Sequence, residues 1–272
     1  MEATPARDVR GALPPGLADA IGETAAEIAA LLRGRTGTGG PVPGSTWTLG
    51  EAAAHLAQAN ELMADIASGR ERSHGDGTAP SLAAANERAL ALFGERAGDP
   101  LADMIVAQAD VFLDAVQRRE ADEVVATPLG PMNMAVFGSY LLTHMLGHGY
   151  DLARAVGRPH MVDRARAELA LPFMFTVMPH VVDVAAAGFT ARFGIRLRGG
   201  TRFTVTFTDG AAVVSPSPEG RTDCTIRIEP VTFLLIALGR CDPWGAIARG
   251  RILTWGRKPW LAPRFPTLFK AP

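Results

Sequence analysis

The stretch LLTHMLGHGYDLARAVGRP, residues 141–159, places His144 and His148 four positions apart in an apolar helical pattern. Residues i and i+4 lie on the same face of an α-helix, so two imidazoles at this spacing can bind one metal ion. A third histidine, His55, lies among apolar neighbours in TWTLGEAAAHLAQAN, residues 46–60, which is also predicted to be helical. Three histidines with one coordination position left open are the ligand set of a catalytic zinc-type site.

The three histidines also have a simpler interpretation. A single histidine in an apolar stripe is commonly a hydrogen-bonded core residue, and a pair at helical spacing can arise by coincidence. Burying three imidazoles without a common partner would, however, cost several desolvation penalties, which a shared metal would offset. The residues alone leave both interpretations open. In the metal-site interpretation, His55, His144 and His148 bind a divalent metal such as zinc.

Composition restricts the class of protein. The chain has 272 residues, of which 47% are hydrophobic and 20% charged, with a formal net charge of -1. These values are typical of a soluble globular protein with one or two domains. There is no basic cluster of the kind that nucleic acid requires. We therefore expect no nucleic-acid partner.

Membrane and secretory signals are also not expected. No segment offers about 18 consecutive apolar residues, so no membrane span is predicted. The N-terminal sequence MEATPARDVRGALPPG lacks the pattern of a secretory signal. Cys224 and Cys241 lack C-x-x-C spacing and are interpreted as ordinary thiols. Together these features predict a cytoplasmic protein.

The sequence pattern changes near residue 190. Before it, apolar residues recur at helical spacing and alanine is abundant; after it, alternating strand-like segments occur. The pattern predicts a helical bundle over residues 1–188 and an α+β domain over residues 189–272.

Local signals place the helices of the first part. Thr48 and Glu51 have the spacing of a capping box, with Trp47 able to pack on the first turn of that helix. Asp99 before a proline predicts another helix start, and Asp163 is expected to cap the last helix. ATPLGPMNM, residues 126–134, is interpreted as a loop. Residues 36–47 and 121–133 are expected to shape the mouth of the metal site. The predicted helices cover residues 16–33, 49–68, 81–96, 99–120, 134–156 and 163–188.

The second part contains strand patterns. Phe203, Val205 and Phe207 alternate with threonines, and the following Asp209-Gly210 predicts a hairpin turn. Further strands are predicted in CTIRIEP and RILTW, and helices over residues 231–239, 243–249 and 258–270. The apolar helix VTFLLIALG over a small sheet is compatible with a hydrophobic groove or simply with a core.

Two segments carry a resemblance to a known family. WTLGEAAAHLA, residues 47–57, followed by THMLGHGYDLARAVGRP, residues 143–159, resembles the DinB-like, mycothiol-dependent maleylpyruvate isomerase family over nearly the whole chain. Residues 223–256 are similar to the sterol-carrier-protein-2-like (SCP2-like) module that often follows. The resemblance implies a metal-binding, DinB-like four-helix bundle with an SCP2-like α+β domain after it.

Carried over by position, the resemblance implies that His55, His144 and His148 are the metal ligands. Many of the isomerases have a glutamate where His144 stands here, whereas three-histidine sites occur in related thiol transferases. The implied activity is therefore an isomerase or a thiol S-transferase. It would act on a small electrophilic substrate through the metal-bound thiolate of mycothiol.

Further residues are candidates for the same site. Tyr140, one turn before His144, would donate a hydrogen bond, while Gln58 and Asn60 would contact the thiol near His55. Three arginines of the second domain would hold a substrate carboxylate or an oxyanion; they are Arg221, Arg249 and Arg251. Packing is the simpler role for Tyr140, and plain surface charge is the simpler role for the three arginines.

Two other functions remain open from the sequence. One is a metal-dependent tailoring enzyme that works without a thiol, through metal-bound water or carbonyl activation. The other is a binding protein that carries an apolar molecule in the second domain. An open three-ligand site favours catalysis over a closed structural metal.

Overall fold

The structure is a computed structural model that describes residues 13–72, 75, 79–217 and 220–270. Most of the segment predicted to lack a secretory signal therefore falls outside the described residues. The chain divides into two units, Met1–Met161 and Val162–Pro272. This boundary lies earlier than the one expected after residue 188, because the short helices that follow Met161 contact elements of the second unit.

The first unit is built on the predicted four-helix bundle. The helices are α1 (Leu17–Leu32), α2 (Leu49–Ala67), α3 (Ala79–Leu92), α4 (Gly98–Val116) and α5 (Met134–Ala155). Helix α1 contacts α4 and α5, and helix α2 also contacts α4 and α5, while α3 lies against α2. Phe112 and Phe137 are fully buried between the helices, with ring centroids 5.4 Å apart.

The two helices that carry the histidines begin at side-chain caps. At α2 the predicted capping box is confirmed: Thr48 Oγ1 accepts from Glu51 N at 3.3 Å, and Glu51 Oε2 accepts from Thr48 N at 2.8 Å. The Glu51 carboxylate also accepts from Thr48 Oγ1 at 2.8 Å, and the hydrogen bonds from the backbone N–H and the hydroxyl of Thr48 lower the pKa of Glu51. At α5 the side chain of Asn133 accepts from Val136 N at 2.9 Å. Each cap satisfies a backbone N–H that has no partner within the helix.

Two local predictions in this unit are wrong. Helix α4 has Ala97 as its N-cap, and Asp99 instead accepts from Gly34 N at 2.7 Å, which joins the end of α1 to the start of α4. The segment interpreted as a loop over residues 126–134 instead includes the end of β1 (Val124–Thr127) and all of β2 (Gly130–Asn133), which form an antiparallel hairpin.

The second unit contains a five-stranded sheet in the order β5-β4-β3-β6-β7. All neighbouring pairs are antiparallel except β3 and β6. The hairpin turn is confirmed, with positive φ at Asp209 (48°) and Gly210 (84°), as a two-residue turn of this type requires. The strands are β3 (Ala191–Leu197), β4 (Arg202–Thr208), β5 (Ala211–Ser215), β6 (Cys224–Ile228) and β7 (Ile252–Trp255).

The inward face of the sheet forms the core of this unit. Phe203, Val205 and Phe207 are buried, as their alternation predicts. The apolar helix α8 (Pro230–Ala237) packs on this core, with the Phe233 ring 5.7 Å from that of Phe203. Phe233, Leu234 and Leu235 of this helix are buried core residues. The SCP2-like character of the unit stays a prediction.

Two predicted helices of this unit are not continuous. The segment predicted over residues 163–188 forms α6 (Arg164–Leu169), α7 (Leu171–Val177) and two short 3₁₀ turns, with Asp163 capping α6 as expected. Residues 258–270 form only 3₁₀ turns. Prolines lie within both segments and lack the N–H that a continuing helix needs. A short helix α9 (Pro243–Ala248) lies close to its predicted position.

Within the described part of the chain, no helix combines the length and hydropathy that crossing a lipid bilayer requires.

Candidate metal centre

The bundle brings three histidines from two helices together. His55 lies on α2, while His144 and His148 lie one turn apart on the neighbouring helix α5. The centroid of the His55 ring is 5.3 Å from that of His144 and 4.8 Å from that of His148. The rings of His144 and His148 are 4.5 Å apart. We call these three residues the histidine cluster.

The geometry of the histidine cluster fits a divalent cation. One ring nitrogen from each residue lies within 4.8 Å of the other two. Zinc–nitrogen bonds of about 2.0–2.1 Å place two nitrogen ligands of one ion roughly 3–4 Å apart. Small side-chain rotations therefore suffice for all three to reach a common ion. The donor set consists of imidazoles, which zinc and several transition metals prefer.

Burial gives the cluster the protonation state that metal binding needs. His55 is 6% exposed, and desolvation lowers its pKa from 6.5 to about 4. The other two histidines are half-buried. Because a ligating imidazole must be neutral, His55 is in its ligand form throughout the neutral pH range.

Trp47 borders the histidine cluster. Its ring lies 4.9 Å from the His55 ring and stacks at 26° and 6.2 Å on the His148 ring. The sequence predicts that Trp47 packs on the first turn of α2 and, within residues 36–47, lies near the mouth of the site. It does not predict contact with particular histidines. The position of Trp47 directly before the N-cap of a histidine-bearing helix is the signal that could have predicted this contact.

Tyr140 borders the cluster through His144. Its ring meets the His144 ring at 88°, with a centroid distance of 6.4 Å, and the side chain is 6% exposed. Burial raises the pKa of the phenol, so it stays protonated at neutral pH. Its proposed role as a hydrogen-bond donor stays a prediction.

Gln58 and Asn60, the two amides predicted to contact a thiol, donate hydrogen bonds inside the bundle. Gln58 Nε2 donates to Ala89 O at 3.2 Å. Asn60 is fully buried, and its Nδ2 donates to Ile105 O at 3.4 Å and to Met145 Sδ at 3.5 Å. These bonds join helices, so the predicted contact with a thiol gains no support from them.

The remaining candidates lie in the second unit. Arg221, Arg249 and Arg251 are exposed, and Arg251 Nε lies 3.9 Å from a carboxylate oxygen of Glu229. Their predicted role in substrate binding stays a prediction. The thiol of Cys224 is buried, which raises its pKa to about 11, as expected of an unreactive thiol.

Fold and site define a two-domain protein whose helical bundle holds a candidate three-histidine metal centre. A family model described as Mycothiol maleylpyruvate isomerase N-terminal domain matches residues 17–153. A second, described as MDMPI C-terminal domain, matches residues 168–263. The chain belongs to the mycothiol-dependent maleylpyruvate isomerase family.

Solved structures agree with this fold. The crystal structure of a mycothiol-dependent maleylpyruvate isomerase is similar with a TM-score of 0.51 and 14% identity, covering 89% of this chain and 93% of that chain. A point mutant of a mycothiol-dependent maleylpyruvate isomerase gives a TM-score of 0.53 and 12% identity, with the same coverage. At these identities the similarity shows the fold alone.

A third solved structure, a double mutant of a sec-alkyl sulfatase, has 18% identity and a TM-score of only 0.34. The match covers 64% of this chain, and this chain spans 25% of the sulfatase. No curated protein matches the chain at a significant level.

Proposed function

We propose that the protein is a metal-dependent enzyme that uses mycothiol on a small electrophilic substrate, as a maleylpyruvate isomerase-like isomerase or a thiol S-transferase. The observation that carries this proposal is the approach of His55, His144 and His148, whose ligand atoms lie within 4.8 Å of one another. They do so inside the domain that the mycothiol isomerase family model matches.

The ligand set supports an open, catalytic type of centre. The three imidazoles would hold a divalent cation, and zinc is the one we propose, since it binds imidazole in tetrahedral sites. Three protein ligands leave one coordination position for a cosubstrate. When bound, the cation would lower the pKa of a thiol so that the thiolate is present near neutral pH.

The protein groups around the cluster have defined parts in this proposal. Helix α2 carries His55 and helix α5 carries His144 and His148, and both helices begin at a side-chain cap. Burial keeps His55 neutral. The protonated phenol of Tyr140, packed edge-on against His144, is the hydrogen-bond donor that we propose for the site. Gln58 and Asn60 are also proposed contacts of the thiol, although the hydrogen bonds that their amide groups donate lie within the bundle.

Arginines would supply the charge that recognises the substrate. Arg221, Arg249 and Arg251 are exposed guanidinium groups, which suit carboxylates and oxyanions. The contact of Arg251 with Glu229 is long and solvent-exposed, so a substrate carboxylate can replace it at little cost. Since both cysteines are free, the cytoplasm is the compartment that we propose.

Metal analysis followed by thiol titration tests the proposal. The purified protein is expected to contain about one zinc per chain, measured by elemental mass spectrometry. After cobalt substitution, mycothiol should produce a thiolate-to-cobalt charge-transfer absorption. His55→Ala should lose the metal while its circular dichroism stays helical, and His180→Ala, at an exposed histidine of the second unit, should keep the metal.

Three outcomes separate the functions that the sequence left open. Metal without a response to mycothiol would refute the thiol-dependent reaction and favour metal chemistry with water or a carbonyl substrate. Protein that binds neither zinc nor cobalt would refute the enzyme proposed here. Uptake of fatty or polycyclic molecules by such metal-free protein would instead favour a carrier of apolar ligands.

A further inference from the structure

Trp47 contacts two of the three members of the histidine cluster at once. Its ring is tilted by 44° against His55 at 4.9 Å, and it stacks at 26° on His148 at 6.2 Å. His55 and His148 belong to different helices. One indole therefore spans the gap between the two elements that carry the cluster.

The backbone around Trp47 holds the indole in this position. Trp47 O accepts from Val42 N at 2.9 Å, and Trp47 N donates to Ser45 Oγ at 3.1 Å. The next residue, Thr48, is fixed by the capping box of α2. Trp47 is thus set between a tight bend and a helix start, although its side chain is only half-buried.

The chemistry of the contact favours a positively charged imidazole. The face of an indole carries negative electrostatic potential, and tryptophan is the strongest cation–π partner among the side chains. An imidazole gains positive charge when it ligates a cation. Contact with the face of an indole should therefore stabilise the ligated state of the histidines more than their free state.

We propose that Trp47 is a positioning residue that strengthens cation binding by the histidine cluster through its ring contacts with His55 and His148. The inference rests on the proposed function, since it needs the cluster to bind a metal. It assigns to Trp47 an electrostatic role in addition to packing.

Cobalt affinity of matched variants tests the role of Trp47. Dissociation constants are measured by competition with a chelator for the wild type, Trp47→Phe and Trp47→Leu, with Trp260→Leu, at an exposed tryptophan of the second unit, as control. We expect a loss of about threefold for Trp47→Phe and about tenfold for Trp47→Leu. Trp260→Leu should bind as the wild type does. The unfolding midpoint of each metal-free variant shows whether the bundle is intact.

Ring fluorination separates electrostatics from packing. Fluorinated tryptophan has nearly the same shape but a less negative ring face, so cobalt affinity should fall from ordinary to monofluorinated to difluorinated protein. The other three tryptophans lie in the second unit, and the fluorinated Trp47→Phe protein is the control for them. That control should show the same affinity at every degree of fluorination.

The outcomes distinguish this inference from the function beneath it. Failure of the wild type to bind cobalt would overturn the proposed function and this inference together. Binding by the wild type with equal affinity in a folded Trp47→Leu variant would overturn the inference alone. If Trp47→Leu does not fold, the cobalt affinity of the fluorinated wild type decides the question. An affinity that does not change with fluorination would overturn the electrostatic role of Trp47.

Discussion

Acid should destabilise the metal-free protein through His55 in particular. Its pKa is lowered from 6.5 to about 4 by burial, so between these values the unfolded chain binds a proton that the folded chain excludes. Stability is therefore complete above the unfolded pKa and falls as the pH decreases toward the folded pKa. From about pH 7.5 to about pH 4.5 this one group should lower the free energy of unfolding by about 2–3 kcal/mol.

Urea unfolding at the two pH values, in the presence of a chelator, measures this loss. Circular dichroism at a helical wavelength follows the bundle. His55→Gln removes the titrating group. Over the same pH range, the free energy of unfolding of this variant should therefore fall by about 2–3 kcal/mol less than that of the wild type. The comparison uses the difference between two pH values, so any packing loss in the variant cancels.

His180→Gln is the control for the loss of an imidazole at an exposed position. Its loss of stability between the two pH values should match that of the wild type. An equal loss in wild type and His55→Gln would refute the reasoning, because it would mean that the buried imidazole is protonated in the folded protein as easily as in the unfolded chain.

Three further predictions concern the ligand set and the framework that holds it. His144→Glu should retain zinc, as measured by elemental mass spectrometry, because the glutamate oxygen is also a zinc ligand; loss of the metal would argue against His144 as a ligand. Gly98→Ala should lose about 1–3 kcal/mol of unfolding free energy in urea, because its Cβ would clash with the backbone oxygen of Leu32, whereas Gly94→Ala, with open space around its Cβ, should change little. Thr48→Ala should lose about 1 kcal/mol of unfolding free energy through the lost N-cap, and an unchanged urea midpoint would contradict the role of the capping box.

The features of the bundle that could be predicted are those with local signals. The capping box at Thr48 and Glu51 depends on a spacing of three residues, and the pairing of His144 with His148 depends on one helical turn. The approach of His55 depends on packing between α2 and α5. It was predicted from the cost of burying unpartnered imidazoles and from the family resemblance.

The errors have physical causes that are visible in particular residues. Pro172 and Pro179 divide the segment that was predicted as one helix after Asp163, because each lacks an N–H and favours a new turn. The hairpin of β1 and β2 has only four residues in each strand, too few for a clear alternation.

The contact of Trp47 with the histidines could not be predicted, for a different reason. This contact depends on the path of the chain through the bridge between Pro41 and Thr48. Helical or strand periodicity does not encode such a path. The sequence therefore predicts the set of ligands and the segment that borders them, but not which ligands Trp47 contacts.

The separation of the histidines along the chain has a consequence for stability. His55 precedes His144 by more than half of the length of the first unit, and the two meet only when α2 and α5 are packed. A cation held by both would therefore bind the folded bundle far more tightly than the unfolded chain, in which the ends of so long a loop are rarely close together. Cellular supply of the cation would then regulate the stability of the fold as well as its reactivity, by mass action on the folded state.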